Sequence, residues 1–209
     1  MKTDELTDRL AAAVVLPILR APDRATALGQ VERCVDAGFP IIELTATTPD
    51  WEGAVRDVRA AWPELVVGVG TILEREQAAA AVTAGAAFLV SPCPVPAVRA
   101  DLTVPLIEGG FTPGELLDAT ARGIAKFFPA HVGGPDLLRS VLPLRPGMRI
   151  VPTGRIELPD VSAWLEAGAL AVGIGARVLD EPDLAAQISS LASSRRIANQ
   201  NAPAPTTTR

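Results

Sequence analysis

Short apolar runs alternate with longer, helix-like segments along the whole chain. Four runs share one pattern, in which a helix end is followed by glycine and then by an apolar stretch: DAGFPIIEL (36–44), TAGAAFLVS (83–91), ARGIAKFF (121–128) and EAGALAVGI (166–174). Glycine suits the residue after a helix because the left-handed conformation there carries no Cβ penalty. The pattern predicts a helix end, a cap and a strand at each place.

Four further apolar runs lie between these: AVVLPIL (13–19), LVVGVG (65–70), TVPLIEG (103–109) and MRIVPTG (148–154). They are too short for helices and rich in Val, Ile and Leu, so they indicate buried strands. Apolar strands that alternate with helices form a parallel sheet covered by helices. The eight units therefore predict an α/β fold, a single (β/α)8 barrel preceded by a helix at about 3–12. A doubly wound sheet is the alternative, but it usually has fewer strands.

Length, charge and composition narrow the classes of function. The 209 residues suit one domain, which we place at 1–195, followed by a polar, Pro/Thr-rich tail at 196–209 that we expect to be disordered. A net charge of −5 without a basic run argues against nucleic acid or an anionic membrane as partner. The charged N-terminus is unlike a signal peptide, and no apolar run approaches the roughly 20 residues that span a bilayer. We therefore expect a cytoplasmic protein.

The chain offers little for a metal site. It has one histidine, His131, and two cysteines, Cys34 and Cys93, which are far apart and lack metal-ligand spacing. We therefore expect neither a metal nor another cofactor.

One charge stands inside a predicted strand. Lys126 interrupts the sixth apolar run, in a chain whose only other lysine is Lys2. Because strand residues alternate between faces, Lys126 shares a face with Ile124 and Phe128 and is expected to point into the barrel. By the same alternation, Glu43 is expected to point inward from the second strand.

This lysine and glutamate suggest covalent chemistry on a carbonyl group. Burial lowers the pKa of a lysine, and the neutral amine can then form a Schiff base. A nearby carboxylate can move the protons that the reaction needs. Active sites of these barrels lie at the C-terminal ends of the strands. Lys126 and Glu43 are therefore candidate catalytic residues, and the alternative is an ion pair that only closes the core.

Seven motifs occur in an order that resembles one enzyme family: PILR (17–20), IELTATTPD (42–50), VGVGTIL (67–73), FLVSPCP (88–94), KFFPA (126–130), VPTGRI (151–156) and GIGA (173–176). The chain resembles the 2-keto-3-deoxy-6-phosphogluconate aldolase family from about residue 13 to 190. That family also includes 4-hydroxy-2-oxoglutarate and phosphogalactonate aldolases. The resemblance implies a homotrimeric class I aldolase that needs no metal. Its members reversibly cleave a 2-keto-4-hydroxy acid into pyruvate and an aldehyde.

The resemblance also implies roles for individual residues. Lys126 resembles the Schiff-base lysine and Glu43 the carboxylate that transfers protons. Substrate-binding positions match at Thr71 near the pyruvate unit, at Pro92 and Phe128 in the pocket wall, at Thr153 and Gly154 in the phosphate-binding turn, and at Gly175 and Ala176 in the G-x-G-S motif.

Several positions depart from the family pattern. Thr47 replaces an arginine that holds the pyruvate carboxylate, but Arg20 matches an arginine of the phosphogalactonate branch and suits a planar carboxylate. Arg155 replaces a glycine of the phosphate-binding turn, where it either adds a compensating charge or fills the site. Ala176 replaces the serine of G-x-G-S, so a hydroxyl donor is lost. The substrate half that becomes the aldehyde is therefore expected to be anionic, either phosphorylated or acidic.

Two more departures lie at Glu108, in place of a proline, and at His131, in place of a glutamate. For Glu108 an ion pair with an arginine is the favoured interpretation over a role in the pocket, and His131 is interpreted as a loop residue.

Two other functions stay open at this point. One is a phosphate-binding barrel isomerase or synthase, although G-I-G-A is a poor phosphate cradle. The other is a barrel that binds a small anionic metabolite without turnover. Retention of Lys126, Glu43 and Thr71 argues against the second alternative.

Overall fold

The computed structural model describes residues 1–99 and 102–201, with side chains as far as residue 196. Eight parallel strands form one sheet in the order β7-β6-β5-β4-β3-β2-β1-β8. A bridge between Thr153 and Gly173 joins the ends β7 and β8, so the sheet nearly closes on itself. The predicted (β/α)8 barrel is confirmed. The strands are β1 Val15–Leu19, β2 Ile41–Thr45, β3 Val66–Gly70, β4 Phe88–Val90, β5 Leu106–Gly110, β6 Ile124–Phe127, β7 Arg149–Pro152 and β8 Val172–Gly175.

Helices follow the strands and cover the outside of the barrel. They are α1 Thr3–Ala13, α2 Arg24–Asp36, α3 Trp51–Ala61, α4 Arg75–Ala84, α5 Pro96–Arg99, α6 Pro113–Thr120, α7 Ala130–Val141, α8 Val161–Glu166 and α9 Leu184–Asn201. The predicted N-terminal helix is α1. Helix α9 overlaps the first part of the tail predicted at 196–209, and the rest of that tail, 202–209, lies outside the described residues. Across the described chain, none of the helices combines the length and the apolarity that crossing a bilayer requires.

The four predicted cap glycines all have positive φ angles. The values are 82° at Gly38, 103° at Gly85, 150° at Gly123 and 100° at Gly168. A residue with a Cβ would be strained in this conformation, and glycine is not. The repeated pattern in the sequence thus marks four places where the chain turns into a strand.

The core has two layers. The layer to which a strand residue belongs shows whether its side chain points into the barrel or toward the outer helices. Inside the barrel, Leu16, Ile41 and Ile124 belong to a buried cluster that also includes Leu6 and Leu10 of α1. Strand residues of the opposite face pack under the outer helices in a second, larger cluster. Because α1 contributes to the inner cluster, it closes the N-terminal end of the barrel. The C-terminal ends of the strands are left for the site.

Candidate active site

Lys126 and Glu43 meet inside the barrel, as the strand alternation predicts. The Lys126 Nζ lies 3.7 Å from the Glu43 Oε1, and the two side chains are 8% and 1% exposed. Their neighbours along the strands, Ile42, Leu44 and Ala125, belong to the outer cluster. The amine and the carboxylate are therefore held together in a place that excludes most water.

The Glu43 carboxylate is incompletely bound. Its Oε2 is buried and has no hydrogen-bond partner among the described residues. Burial raises the pKa of Glu43 above its usual value, although Lys126 and, more weakly, Arg20 act to lower it. A carboxyl group with a raised pKa and a free oxygen suits proton transfer near neutral pH.

Glycines make room for the two reacting groups. A Cβ at Gly70 would lie 1.7 Å from the Glu43 Oε1, so only glycine leaves space for the carboxylate. Gly109 is the partner of Lys126 in the ladder between β5 and β6. A Cβ at Gly109 would lie 2.2 Å from the Pro92 carbonyl, so glycine lets the loop after β4 pack closely there. Pro92 is thereby placed beside the strand that neighbours the lysine.

Arg20 and Thr47 lie on the loops after β1 and β2. Arg20 is exposed and makes no hydrogen bond or ion pair with any described residue, but it is near enough to Glu43 to influence its pKa. The Thr47 hydroxyl lies 3.0 Å from the Thr45 hydroxyl. At these two predicted carboxylate-binding positions, the Arg20 guanidinium is unpaired within the described residues, whereas the Thr47 hydroxyl already contacts the Thr45 hydroxyl.

Thr71 follows β3 directly and lies next to Gly70. Its φ is 61°, a left-handed conformation that is uncommon for a residue other than glycine. The next residue, Ile72, donates its N–H to the Val90 carbonyl at 3.1 Å, which ties this loop to β4. Unusual backbone conformations of this kind cluster at functional sites, because the surrounding structure must hold them.

Phe128 links the lysine to the turn after β7. The Lys126 Nζ lies 5.7 Å from the centre of the Phe128 ring, within reach of a cation–π interaction. A Cβ at Gly154 would lie 3.2 Å from the same ring. Thr153 is buried, and its backbone is held on both sides, because its N–H donates to the Phe127 carbonyl and its carbonyl accepts from the Ala130 N–H. Phe128, Thr153 and Gly154 therefore lie close together after β6 and β7.

A separate cavity of about 680 Å³ lies between the loops after β7 and β8. Arg155, Gly175 and Arg177 line it, whereas Lys126 and Glu43 do not. The lining also carries three carboxylates, those of Glu157, Asp180 and Glu181. Arg155 and Arg177 are exposed and form no hydrogen bond or ion pair within the described chain. Ala176 lies between the lining residues Gly175 and Arg177, at the start of a short 3-10 turn.

Glu108 lies outside this site. It is buried and accepts hydrogen bonds from the Val95 N–H at 2.5 Å, from Arg99 at 2.9 Å and from Arg122 at 2.7 Å. Its ladder partner is Ala125, which belongs to the outer cluster. The favoured interpretation of Glu108, an ion pair with arginine, is confirmed. The interpretation of His131 as a loop residue is wrong, because His131 lies in the first turn of α7.

Sequence patterns did not indicate two residues that lie near the site. Arg177 follows Ala176 by one residue, and the absence of any other charge in G-I-G-A-R could have drawn attention to it. Thr48 is buried and accepts a hydrogen bond from the Ala21 N–H, a contact across 27 residues that no local pattern indicates. Within the described residues, no three His, Cys, Asp or Glu side chains converge as a metal site would require.

The geometry suits a reaction at a carbonyl group. A buried amine can attack the carbonyl, a carboxylate with a free oxygen can move protons, and a free arginine can bind a neighbouring carboxylate. A second cavity with two free arginines can take a further anionic group.

Comparisons with known proteins agree with this chemistry. The sequence model described as "Aldolase: KDPG and KHG aldolase" matches residues 6–190. A 2-dehydro-3-deoxy-phosphogluconate aldolase of Pseudomonas aeruginosa is 32% identical over 170 residues, which are 78% of this chain and 77% of that protein. A probable 2-dehydro-3-deoxy-6-phosphogalactonate aldolase of Rhizobium meliloti is 30% identical over 168 residues, which are 77% of this chain and 79% of that protein.

Among solved structures, a KDPG aldolase of Legionella pneumophila, with pyruvate captured as a covalent carbinolamine, superposes with a TM-score of 0.78 at 25% identity. The match covers 93% of this chain and 98% of that one.

Proposed function

Because this chain belongs to the KDPG and KHG aldolase family, we propose that Lys126 is the amine that forms its Schiff base. The protein is a class I aldolase, a lyase that reversibly cleaves a 2-keto-4-hydroxy acid into pyruvate and an aldehyde. The observation that supports Lys126 is its burial inside the barrel, with Nζ 3.7 Å from the Glu43 carboxylate. No other lysine lies inside a strand of this chain.

The reaction runs through an iminium ion on Lys126. The neutral amine attacks the C2 ketone to form a carbinolamine, and loss of water gives the iminium. The C3–C4 bond then breaks as the C4 hydroxyl loses its proton, and the electron pair moves to the nitrogen as an enamine. Protonation at C3 and hydrolysis release pyruvate and restore the amine. Glu43 is the proposed group that takes up and returns these protons, since one of its oxygens is free.

Arg20 is the proposed partner of the substrate's C1 carboxylate. The charge of Arg20 acts to lower the pKa of Glu43, which shows that the two groups lie near each other. Its planar guanidinium can donate two parallel hydrogen bonds to a carboxylate. Thr71, Pro92 and Phe128 are the proposed walls around the pyruvate half, which place C3 beside Glu43.

Trapping with borohydride tests Lys126. Borohydride is expected to reduce the imine formed with pyruvate to a 1-carboxyethyl group on the Lys126 nitrogen, which mass spectrometry of the digested protein would locate. Lys126→Ala is expected to abolish both trapping and cleavage. Lys126→Arg is the matched control of charge, and it is expected to fail equally because a guanidinium stays protonated and cannot attack. Undiminished trapping in Lys126→Ala would contradict the proposal.

We also propose that the substrate half released as the aldehyde carries an anionic group, bound by Arg155 with help from Arg177. The support is the cavity between the loops after β7 and β8, where Arg155 and Arg177 lack a partner within the described chain although three carboxylates share the lining. A hydrogen bond to a charged group contributes about 1.5–3 kcal/mol and a neutral one about 0.5–1.5 kcal/mol, so an arginine can more than replace the hydroxyl that Ala176 lacks. A phosphate and a carboxylate both fit this charge, and the backbone at Thr153, Gly154 and Gly175 is the proposed remainder of the subsite.

Arg155→Ala tests the anionic group. The KM for a 2-keto-4-hydroxy acid with an anionic far end is expected to rise more than about tenfold, which corresponds to one charge-assisted hydrogen bond. The KM for a neutral analogue and the trapping of pyruvate are expected to change little. Arg196→Ala removes the same charge from an exposed part of α9, and it serves as the matched control. Equal preference of the wild type for anionic and neutral substrates would contradict the proposal.

The proposed assembly is a homotrimer and the proposed location is the cytoplasm. The trimer is supported by the family resemblance of the motifs. The cytoplasm is supported by the two free thiols, Cys34 and Cys93, which a reducing compartment preserves. Light scattering after gel filtration is expected to give three times the 21.8 kDa of one chain.

A further inference from the structure

We propose that Thr48 is a positioning residue that holds Arg20 in place for the substrate carboxylate. This inference rests on the proposed function, because it concerns how the carboxylate-binding arginine is oriented. It starts from a contact between two loops, in which the Thr48 hydroxyl accepts a hydrogen bond from the Ala21 N–H at 3.1 Å.

The Thr48 hydroxyl is itself held in a fixed place. Thr48 is 2% exposed, and its own N–H donates to the Thr45 carbonyl at 3.0 Å, which forms a tight turn at the end of β2. Its hydroxyl lies 3.5 Å from the Thr45 hydroxyl, which in turn lies 3.0 Å from the Thr47 hydroxyl. The acceptor for Ala21 thus belongs to a group of three hydroxyls, of which those of Thr45 and Thr48 are buried and that of Thr47 lies on an exposed residue.

The contact determines where the backbone of Arg20 lies. The residue before Arg20, Leu19, pairs with Leu44 in the β1–β2 ladder. The peptide group after Arg20 carries the Ala21 N–H that Thr48 binds. The backbone is therefore attached to β2 and its following turn on both sides of the Arg20 Cα.

This attachment matters because, within the described residues, no polar contact holds the Arg20 side chain. Arg20 makes no hydrogen bond or ion pair with the described residues, so its backbone alone sets the origin of its side chain. The same strand pair carries the proton-transfer residue, since Ile18 of β1 is in register with Glu43 of β2. Thr48 therefore keeps the carboxylate-binding group at a constant distance from the reacting pair.

Loss of the hydroxyl should move Arg20 and leave Lys126 in place. In Thr48→Val, a side chain of the same shape leaves the buried Ala21 N–H without an acceptor, and a buried unpaired donor is costly. The loop after β1 can relieve this cost by shifting toward water, and Arg20 shifts with it. Thr48→Ser keeps the hydroxyl and is the matched control.

The test is the dependence of borohydride trapping on pyruvate concentration in Thr48→Val, Thr48→Ser, Arg20→Gln and the double variant Arg20→Gln/Thr48→Val. Thr48→Val is expected to raise the half-saturating pyruvate concentration by about 3- to 10-fold, the range of one neutral hydrogen bond, with the rate at saturation almost unchanged. Thr48→Ser is expected to stay within about twofold of the wild type. In the Arg20→Gln background, Thr48→Val is expected to add less than about twofold, because the group that it positions is gone.

Each contrary outcome has its own meaning. If Thr48→Val raises the half-saturating concentration equally with and without Arg20, the hydroxyl does not act through Arg20 and the inference is wrong. If Thr48→Val lowers only the melting temperature, the hydroxyl stabilises the fold alone, and the inference is again wrong. Should Thr48→Val fail to fold, the comparison of Thr48→Ala with Thr48→Ser takes its place. A wild type that traps no pyruvate contradicts the proposed function itself, and this inference falls with it.

Discussion

Two glutamates, Glu43 and Glu108, are buried in the same barrel and are bound in opposite ways. Glu43 is 1% and Glu108 3% exposed, and each lies on a strand next to a cation. Glu43 faces inward, 3.7 Å from one lysine, with one oxygen unpaired within the described structure. Glu108 faces outward and accepts hydrogen bonds from a backbone N–H and two arginines.

The pKa shifts of the two carboxyl groups differ in direction. For Glu43, burial dominates and raises the pKa, although Lys126 opposes it. For Glu108, burial also acts to raise the pKa, but Arg99, the Val95 N–H and Arg122 together lower it below the usual value. A buried carboxylate is stable when all its lone pairs are bound, and it is reactive when they are not. The two carboxyl groups therefore differ in how many donors bind them, and Glu43 also lies deeper in the protein than Glu108.

The largest expected effect is on turnover, when the Glu43 carboxylate is replaced by an amide. Glu43→Gln keeps the size of the side chain but cannot take up a proton, so kcat for cleavage is expected to fall by roughly 10²–10⁴-fold. Steady-state kinetics with a 2-keto-4-hydroxy acid would measure this fall. Glu108→Gln is the matched control and is expected to keep a kcat close to that of the wild type. Near wild-type turnover in Glu43→Gln would mean that another group transfers the proton.

Glu108→Gln is expected to have its main effect on stability. An amide cannot satisfy both arginines, and breaking a buried ion pair by removing one partner is costly. Because Arg99 and Arg122 are 27% and 37% exposed, water compensates in part, and we expect a loss of about 2–3 kcal/mol in the free energy of unfolding. Denaturation by urea would measure it. An unchanged midpoint would show that the saturated carboxylate contributes nothing to the fold.

A methyl group at Gly70 would disturb Glu43 without changing its chemistry. Its Cβ would lie 1.7 Å from the Glu43 Oε1, so the carboxylate must move. Misplacement on this scale is expected to lower kcat by roughly 10- to 100-fold. Gly29→Ala is the matched control, because Gly29 lies in α2 with nothing within 4 Å of its Cβ. If both variants turn over like the wild type, the position of Glu43 is less critical than its geometry indicates.

The smallest expected effect is a pH dependence of opposite sign for the two glutamates. Since the folded pKa of Glu108 is lowered, its contribution to stability is present above its unfolded value of about 4.5 and is lost as the pH falls through the folded pKa. Since the folded pKa of Glu43 is raised, its contribution is present below about 4.5 and is lost as the pH rises from there through the folded pKa. Urea denaturation of the wild type, Glu43→Gln and Glu108→Gln across pH 3–8 would compare the two. For each variant, the difference from the wild type in the free energy of unfolding is followed as a function of pH. If the two differences change with pH in the same direction, the comparison is contradicted.

Local patterns in the amino-acid sequence predict the barrel, the four glycines that precede strands and the inward direction of Lys126 and Glu43. These follow from local rules. Alternation with a period of two decides the face of a strand residue, and glycine after a helix marks a left-handed cap. The same rules apply wherever the strands lie in space, so a single sequence was enough to place the lysine and the glutamate on the interior face.

Which of these groups contact each other, and which have no partner among the described residues, depends on how the strands and loops pack. The hydrogen bond from Ala21 to Thr48 spans 27 residues. Of the two arginines that bind Glu108, Arg99 ends α5 and Arg122 lies in the turn after α6. Arg177 joins Arg155 at one cavity because β7 and β8 end side by side. Such contacts depend on the stagger between strands and on the course of the loops, which no local period encodes. The physical reason is that burial and pairing are properties of the space around a side chain, whereas periodicity describes only the direction in which that side chain leaves the backbone.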